Sequence, residues 1–338
     1  MSFVVRAAGP DDLTAIYQIA KSTGGGFTNL PPDRTTLSAR LARTAEAFGR
    51  DDDALGDDLF FFVLEDLASA EVRGTGLIFS QIGTTWPFYS YRVATISNYS
   101  KEMQRTFRYE TLTLTTDLDG SSEVGGLFLH PGERAVGVGA LLARSRYLFI
   151  AMHRERFAAR VIAELRGLHD ETGGSAFWDG LAGRFFGMDF READEFNAVY
   201  GNQFIADLMP RHPIYTALLP DSALAVMGKP HNSGRAAQRM LEKEGFAYEN
   251  YIDIFDGGPS MACRTDEIAT VKSAQVSTIV AIGEGVAPIN SLIAIGRLGA
   301  FRASAGTVTA AEGGVMLDRA TAEALRAGPG DTITHTAC

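Results

Sequence analysis

The sequence predicts an α+β fold, with a helical insertion and a small β-rich C-terminal subdomain. Three observations predict it. Helical and strand-like apolar periodicities alternate along the first half of the chain. A strand, a tight turn and a long apolar helix follow one another between residues 122 and 156. After about Asp266 the texture changes to short β-like runs broken by Gly and Ala. The expected division is therefore 1–265, with the insertion at about 170–230, and 266–338.

Phe3 to Val5 reads as a short strand. Pro10-Asp-Asp12 opens a helix whose Leu13, Ile16, Tyr17 and Ile19 fall near helical spacing, and Gly24-Gly-Gly26 ends it. A second helix runs from about Pro32 to Phe48, with Leu37, Leu41 and Ala45 on one face. Strands follow at Leu59–Leu64, Gly74–Ile82, Phe88–Val93 and Thr111–Thr115. Ser122 to Leu129 is a strand, and the turn Gly132-Glu-Arg134 leads into a helix from about Val136 to Arg156. Leu141, Leu142, Leu148, Phe149 and Met152 form one stripe of that helix, and Arg160 to Arg166 is a further strand. A later helix, capped by Ser233 or Asn232, buries Ala236, Ala237, Met240 and Leu241 and stops at Gly245. Phe246 to Phe255 is a strand, and Pro329-Gly-Asp-Thr332 is a turn before the last one.

The 338 residues are 46% hydrophobic and 21% charged, enough to build a core. A net charge of −10 repels nucleic acid and anionic membrane and favours cationic small molecules. Two cysteines, Cys263 and Cys338, make no disulfide framework, and no His or Cys spacing suits a metal. Without a signal-like start or a long apolar run, the chain is expected to be cytoplasmic.

The strand–turn–helix at 122–156 carries the strongest chemical signal. Arg134-x-x-Gly137-x-Gly139 lies between a strand end and a helix start. Glycines there let backbone approach a ligand, and the first N–H groups of a helix suit a pyrophosphate. Arg134 adds a cationic donor. A chance match in a Gly-rich chain is the competing reading, since Gly supplies 36 residues. Within Glu123-Val-Gly-Gly-Leu127, the paired glycines suggest a bulge or a close backbone approach. Among the six histidines His231 stands out, in a loop with Pro230 and Asn232 just before a helix. Asp189, Glu192, Asp194 and Glu195 read either a cationic substrate or only solvent. Lys21 to Pro31 is a substrate loop or a plain connection.

Several long stretches, in order, resemble the arginine N-succinyltransferase family of the GNAT superfamily. They include Lys21-Ser-Thr-Gly-Gly-Gly-Phe-Thr-Asn-Leu-Pro31, Gly120-Ser-Ser-Glu123, Leu208-Met-Pro210, His212-Pro-Ile-Tyr215 and Tyr251-Ile-Asp-Ile-Phe-Asp-Gly-Gly-Pro259. The resemblance covers about residues 3–270, and the part after 270 is shorter and little like the family. It implies a GNAT-like α+β fold, with a mixed central sheet flanked by helices, and succinyl transfer from succinyl-CoA to the α-amine of L-arginine. On this resemblance Leu127 contacts succinyl-CoA, His231 is the acid–base group, and Arg134, Gly137 and Gly139 form the pyrophosphate loop. Succinyl-CoA is then a co-substrate with no permanently bound cofactor, and the expected partners are small-molecule substrates and further copies of the chain. A related cationic amine such as ornithine, or a silent acyl-CoA- or arginine-binding module, are the alternatives.

Overall fold

The computed structural model describes residues 3–23, 29–133, 137–200, 203–210 and 212–338, apart from the side chains of 194, 195, 198–200 and 206. The strands are β1 (Phe3–Ala7), β2 (Leu59–Asp66), β3 (Glu71–Phe79), β4 (Ser90–Ser100), β5 (Arg105–Thr115), β6 (Ser122–Leu129), β7 (Arg160–Glu164), β8 (Ile214–Tyr215), β9 (Ala247–Asp253), β10 (Pro259–Arg264), β11 (Gln275–Ile282), β12 (Ile289–Ile295), β13 (Arg302–Ala311), β14 (Gly314–Leu317) and β15 (Thr332–Ala337). The helices are α1 (Leu13–Ser22), α2 (Arg34–Gly49), α3 (Val138–Met152), α4 (Ala176–Gly180), α5 (Gly183–Phe186), α6 (Phe190–Tyr200), α7 (Gln203–Leu208), α8 (Asp221–Val226), α9 (Arg235–Lys243), α10 (Ala269–Ser273) and α11 (Arg319–Leu325). The α+β class is as expected. Among the described residues no helix is long and apolar enough to cross a membrane.

The chain divides into two compact units. One holds Met1–Gln81, Ser122–Val161 and Arg264–Cys338; the other holds Ile82–Ser121 and Ile162–Cys263. The C-terminal segment, expected to stand apart after residue 265, belongs to the first unit. Its β13 pairs with β1, Val5 opposite Ala303, so its backbone continues the N-terminal sheet.

In the first unit the strand order is β12-β15-β11-β14-β13-β1-β2-β3-β6, and β12 also pairs with β13. That extra pairing closes the strands after residue 274 into a small barrel. Ile279, Ile293, Val315, Leu317, Leu325 and Ile333 fill its interior. The β11–β14 pair is parallel, which makes the sheet mixed. Strand β2 reads Leu-Phe-Phe-Phe-Val-Leu because it is buried on both faces. Phe61 and Val63 pack with Ile16 of α1 and with Leu37 and Leu41 of α2. Phe60 and Phe62 point the other way, each 5.0 Å from the ring of Phe149 in α3. Helix α3 is buried around most of its circumference, beyond the single stripe its sequence suggests.

The second unit orders its strands β7-β10-β9-β4-β5-β8. Strands β4 and β5 form one continuous hairpin, paired from Ser90↔Thr115 to Ser100↔Arg105, much longer than the two short strands expected. Its outer half is exposed, so no core face marks it in the sequence. The helical insertion supplies the core of this unit. Trp178 stacks between Phe186 and Phe255 and donates its indole N–H to the Met188 carbonyl at 2.9 Å.

Candidate functional site

The paired glycines of β6 form the bulge their sequence suggests. Thr75 lies opposite Phe128 and Leu77 opposite Gly125, so Gly126 and Leu127 fall outside the regular register with β3. Gly126 has φ +55, and an added Cβ there would lie 1.8 Å from Leu77 Cδ1. Only glycine meets both demands. Side chains take up the displaced carbonyls. The Thr75 hydroxyl donates to Gly126 O at 3.0 Å, and Arg146 Nη1 of α3 donates to Gly125 O at 3.1 Å. Leu127 thus sits half-buried on a kinked strand whose backbone is re-aimed locally.

Glu123 is buried at the start of the same strand. Asn29 Nδ2 donates to its Oε1 at 2.9 Å, and Arg40 donates to the Asn29 carbonyl. Burial raises the Glu123 pKa, against the pull of Asn29 and the Arg40 charge. Arg40 in turn is lowered to about 10, chiefly by burial, which leaves it cationic at neutral pH. This group ties the end of the Lys21–Pro31 segment to β6. Residues 24–28 of that segment lie outside the described residues.

The helix start beside the strand has the backbone an anion needs. Gly137 is the N-cap of α3 with φ +73, and among the described residues nothing stands within 4 Å of a Cβ built on it. The Ala140 and Leu141 N–H groups donate to Gly137 O. Those of Val138 and Gly139, in the first turn, have no acceptor within the helix. A Cβ on Gly139 would lie 3.6 Å from Leu129 Cδ2, so the helix start packs against the end of β6. Packing explains the glycine at 126; among the described residues none packs against the Cα of Gly137 in that way. Arg134, the cationic donor expected in this loop, lies outside the described residues.

His231 belongs to the second unit. Its backbone N–H donates to Arg166 O at 2.7 Å. Its Nδ1 lies 2.7 Å from the Ser233 hydroxyl and accepts the Ser233 backbone N–H at 3.2 Å. The ring therefore caps the turn that leads into α9, the task expected of Ser233 or Asn232. Among the described residues Nε2 has no hydrogen-bond partner. Burial, and after it Arg166 and His169, lower the His231 pKa from 6.5, while Asp256 opposes them. In α9 Leu241 is buried and Ala236 is exposed, so the expected face is shifted. Gly245 does end that helix, with φ +95.

The acidic group at 189–195 has a structural use. Glu192 accepts the Asp189 N–H and Asp189 accepts the Glu192 N–H, each at 2.9 Å, a reciprocal cap on α6. The side chains of Asp194 and Glu195 lie outside the description. Among the described residues no group of three or more His, Cys, Asp or Glu is placed to hold a metal. Sequence reasoning gave no role to Arg146, Thr75 or Asn29, although Asn29 and Arg146 lie in stretches that resemble the family.

Comparison with known proteins bears on these sites. The model of the arginine N-succinyltransferase beta subunit matches residues 3–270, and that of the same subunit's C-terminal domain matches 272–337. The second match corrects the view that the chain beyond 270 is little like the family. An arginine N-succinyltransferase of Salmonella schwarzengrund is 43% identical over 282 residues, 83% of this chain and 81% of that one. One of Citrobacter koseri is 42% identical over 277 residues, 82% of this chain and 80% of that one. The solved structure of arginine/ornithine succinyltransferase subunit AI from Pseudomonas aeruginosa has TM-score 0.89 at 33% identity, covering 99% of this chain and 98% of that one. The chain belongs to the arginine N-succinyltransferase beta subunit family.

Proposed function

We propose that this chain transfers the succinyl group of succinyl-CoA to the α-amine of L-arginine, giving N2-succinyl-L-arginine and CoA. The observation that carries the reading is a glycine bulge in β6 beside a left-handed glycine that opens α3, in a chain of this family. The start of α3, with Arg134, Gly137 and Gly139, binds the CoA pyrophosphate through backbone N–H groups. Backbone near Leu127 pairs with the pantetheine arm and points an N–H at the thioester oxygen, where negative charge develops in the transition state.

The neutral α-amine attacks the thioester carbon. A C–N bond forms, the C–S bond breaks, and one proton passes from nitrogen to sulfur by way of His231. Nδ1 accepts the Ser233 backbone N–H, so the neutral ring carries its proton on Nε2. The lowered pKa favours the neutral ring, whose Nε2–H protonates the departing CoA thiolate while the proton released by the amine restores it. The acidic surface, net −10, favours approach of a cationic amino acid.

His231→Ala tests the chemistry. Turnover should fall by about 10²- to 10⁴-fold with CoA affinity retained; unchanged turnover removes His231 from the reaction. Ornithine is the second reading, because the similar Pseudomonas aeruginosa structure is that of an arginine/ornithine succinyltransferase subunit. Initial rates with arginine and ornithine at equal concentration separate the two.

A further inference from the structure

Behind His231 runs a line of largely buried polar groups that the chemistry above does not use. The Arg166 carbonyl accepts the His231 N–H, and Pro230 pairs with Gly167 as an isolated antiparallel bridge. The Arg166 guanidinium turns back onto His169, with Nη2 2.6 Å and Nε 3.1 Å from Nδ1. His169 Nε2 lies 3.2 Å from Asp256 Oδ2. That same oxygen accepts the Gly167 N–H at 2.6 Å, and Asp256 Oδ1 accepts the Gly258 N–H at 2.8 Å. The side chains of His169 and Asp256 are only 3% and 10% exposed. The ring of Phe190 lies 4.7 Å from the imidazole.

This geometry fixes where the protons sit. Arg166 can only donate, so His169 Nδ1 accepts, and the neutral ring carries its proton on Nε2, facing the carboxylate. The backbone behind it is equally constrained. A Cβ on Gly258 would lie 2.1 Å from Leu165 O, and the Gly228 N–H donates to Gly257 O at 2.8 Å. The segment after β7, the loop that carries His231 and the turn between β9 and β10 are thereby stitched together. A guanidinium, an imidazole and a carboxylate placed in line cost desolvation that apolar packing of the same volume avoids. What the line supplies instead is a fixed register for one ring.

We propose that Arg166, His169 and Asp256 are positioning residues that hold His231 in one orientation with Nε2 presented for proton transfer. The proposal rests on the acid–base reading of His231. The charge around the ring agrees with it: after burial, Arg166 and His169 lower its proton affinity and Asp256 raises it. Arg166 and His169 are three residues apart, but Asp256 is distant in sequence, so no local motif announces the whole line.

Two full-length variants test the proposal. His169→Gln presents an amide N–H to Asp256 and an amide oxygen to Arg166, as the imidazole does; His169→Ala presents neither. In His169→Ala, kcat should fall roughly 10- to 100-fold through misplacement of the ring. Its KM for succinyl-CoA should stay within about twofold. The His231 Cε1–H titration, followed by NMR, should move away from its wild-type midpoint. His169→Gln should regain most of the kcat and the wild-type midpoint. Wild-type kcat and titration in His169→Ala overturn the proposal. A His169→Gln as slow as His169→Ala also overturns it, since the imidazole itself would then be required. Should His169→Ala not fold, the ¹⁵N spectrum of the wild-type protein decides: the neutral His169 ring is expected as the Nε2–H tautomer, and the Nδ1–H tautomer contradicts the proposal. If His231→Ala keeps full turnover, the acid–base reading fails on its own, and the His231 titration in His169→Ala still decides the positioning.

Discussion

Replacing Gly126 with alanine attacks the bulge at its one indispensable residue. Two penalties add. A side chain at φ +55 costs about 1–2 kcal/mol in the left-handed region. The new Cβ would also stand 1.8 Å from Leu77 Cδ1 and 3.1 Å from its Cγ, inside a core where Leu77 is fully buried. Overpacking of that kind costs about 1–3 kcal/mol. Gly126→Ala should therefore destabilise the protein by about 2–5 kcal/mol in urea unfolding. A double-mutant cycle separates the two parts. Leu77→Ala makes room for the methyl, so the pair should be less destabilised than the sum of the singles by about 1–3 kcal/mol. Gly137 is the control, because its φ of +73 carries the backbone cost and no atom of the described residues lies within 4 Å of the added Cβ. A Gly126→Ala within about 0.5 kcal/mol of wild type, or an additive cycle, would refute the bulge as the reason for the glycine.

Gly137→Val should raise the CoA dissociation constant by about tenfold or more, because a branched side chain fills the space before the α3 N–H groups. Calorimetry with CoA checks it, and an unchanged constant sinks the loop assignment. His153 gives a pH signature. Its Nδ1–H donates to Phe149 O at 3.0 Å and its Nε2 accepts the Leu298 N–H at 3.3 Å, so the fold holds the ring neutral. Its pKa lies below 6.5, with burial as the main cause. The unfolded chain thus takes up the proton first, and the stability His153 contributes is whole above pH 6.5 and lost as pH falls through the folded-state pKa. The melting-temperature gap between wild type and His153→Asn should shrink from pH 7.5 to pH 5, taken as roughly one unit or more either side of the ordinary histidine value. A constant gap would contradict this reading.

Features set by neighbours in sequence were legible. Two glycines inside an apolar strand foretold the β6 bulge, and the strand–turn–helix pattern placed the start of α3 within two residues of Val138. Features set by distant partners were not. The outer half of the β4–β5 hairpin covers no core, so its residues carry no alternating apolar signal. Closure of the C-terminal barrel depends on β12 meeting both β13 and β15, which no local periodicity records. Short β14 and α11 fall in an Ala- and Gly-rich stretch where helix and strand patterns look alike. The acidic residues Asp189 and Glu192 read as a substrate reader or a solvated face and are a helix cap. Ser233 looked like a cap, yet its N–H donates to His231. Arg146 lies in a stretch that resembles the family, but its acceptor on Gly125 could be named only from the fold.

The most direct test is thiol release from succinyl-CoA, measured with and without L-arginine, with the amino acid product identified in the same reaction. Release that requires arginine and matches N2-succinyl-L-arginine one for one is the predicted result. Equal release without arginine would make the protein a thioesterase, and no release in either case would leave it a binding module; both would contradict the proposed transfer.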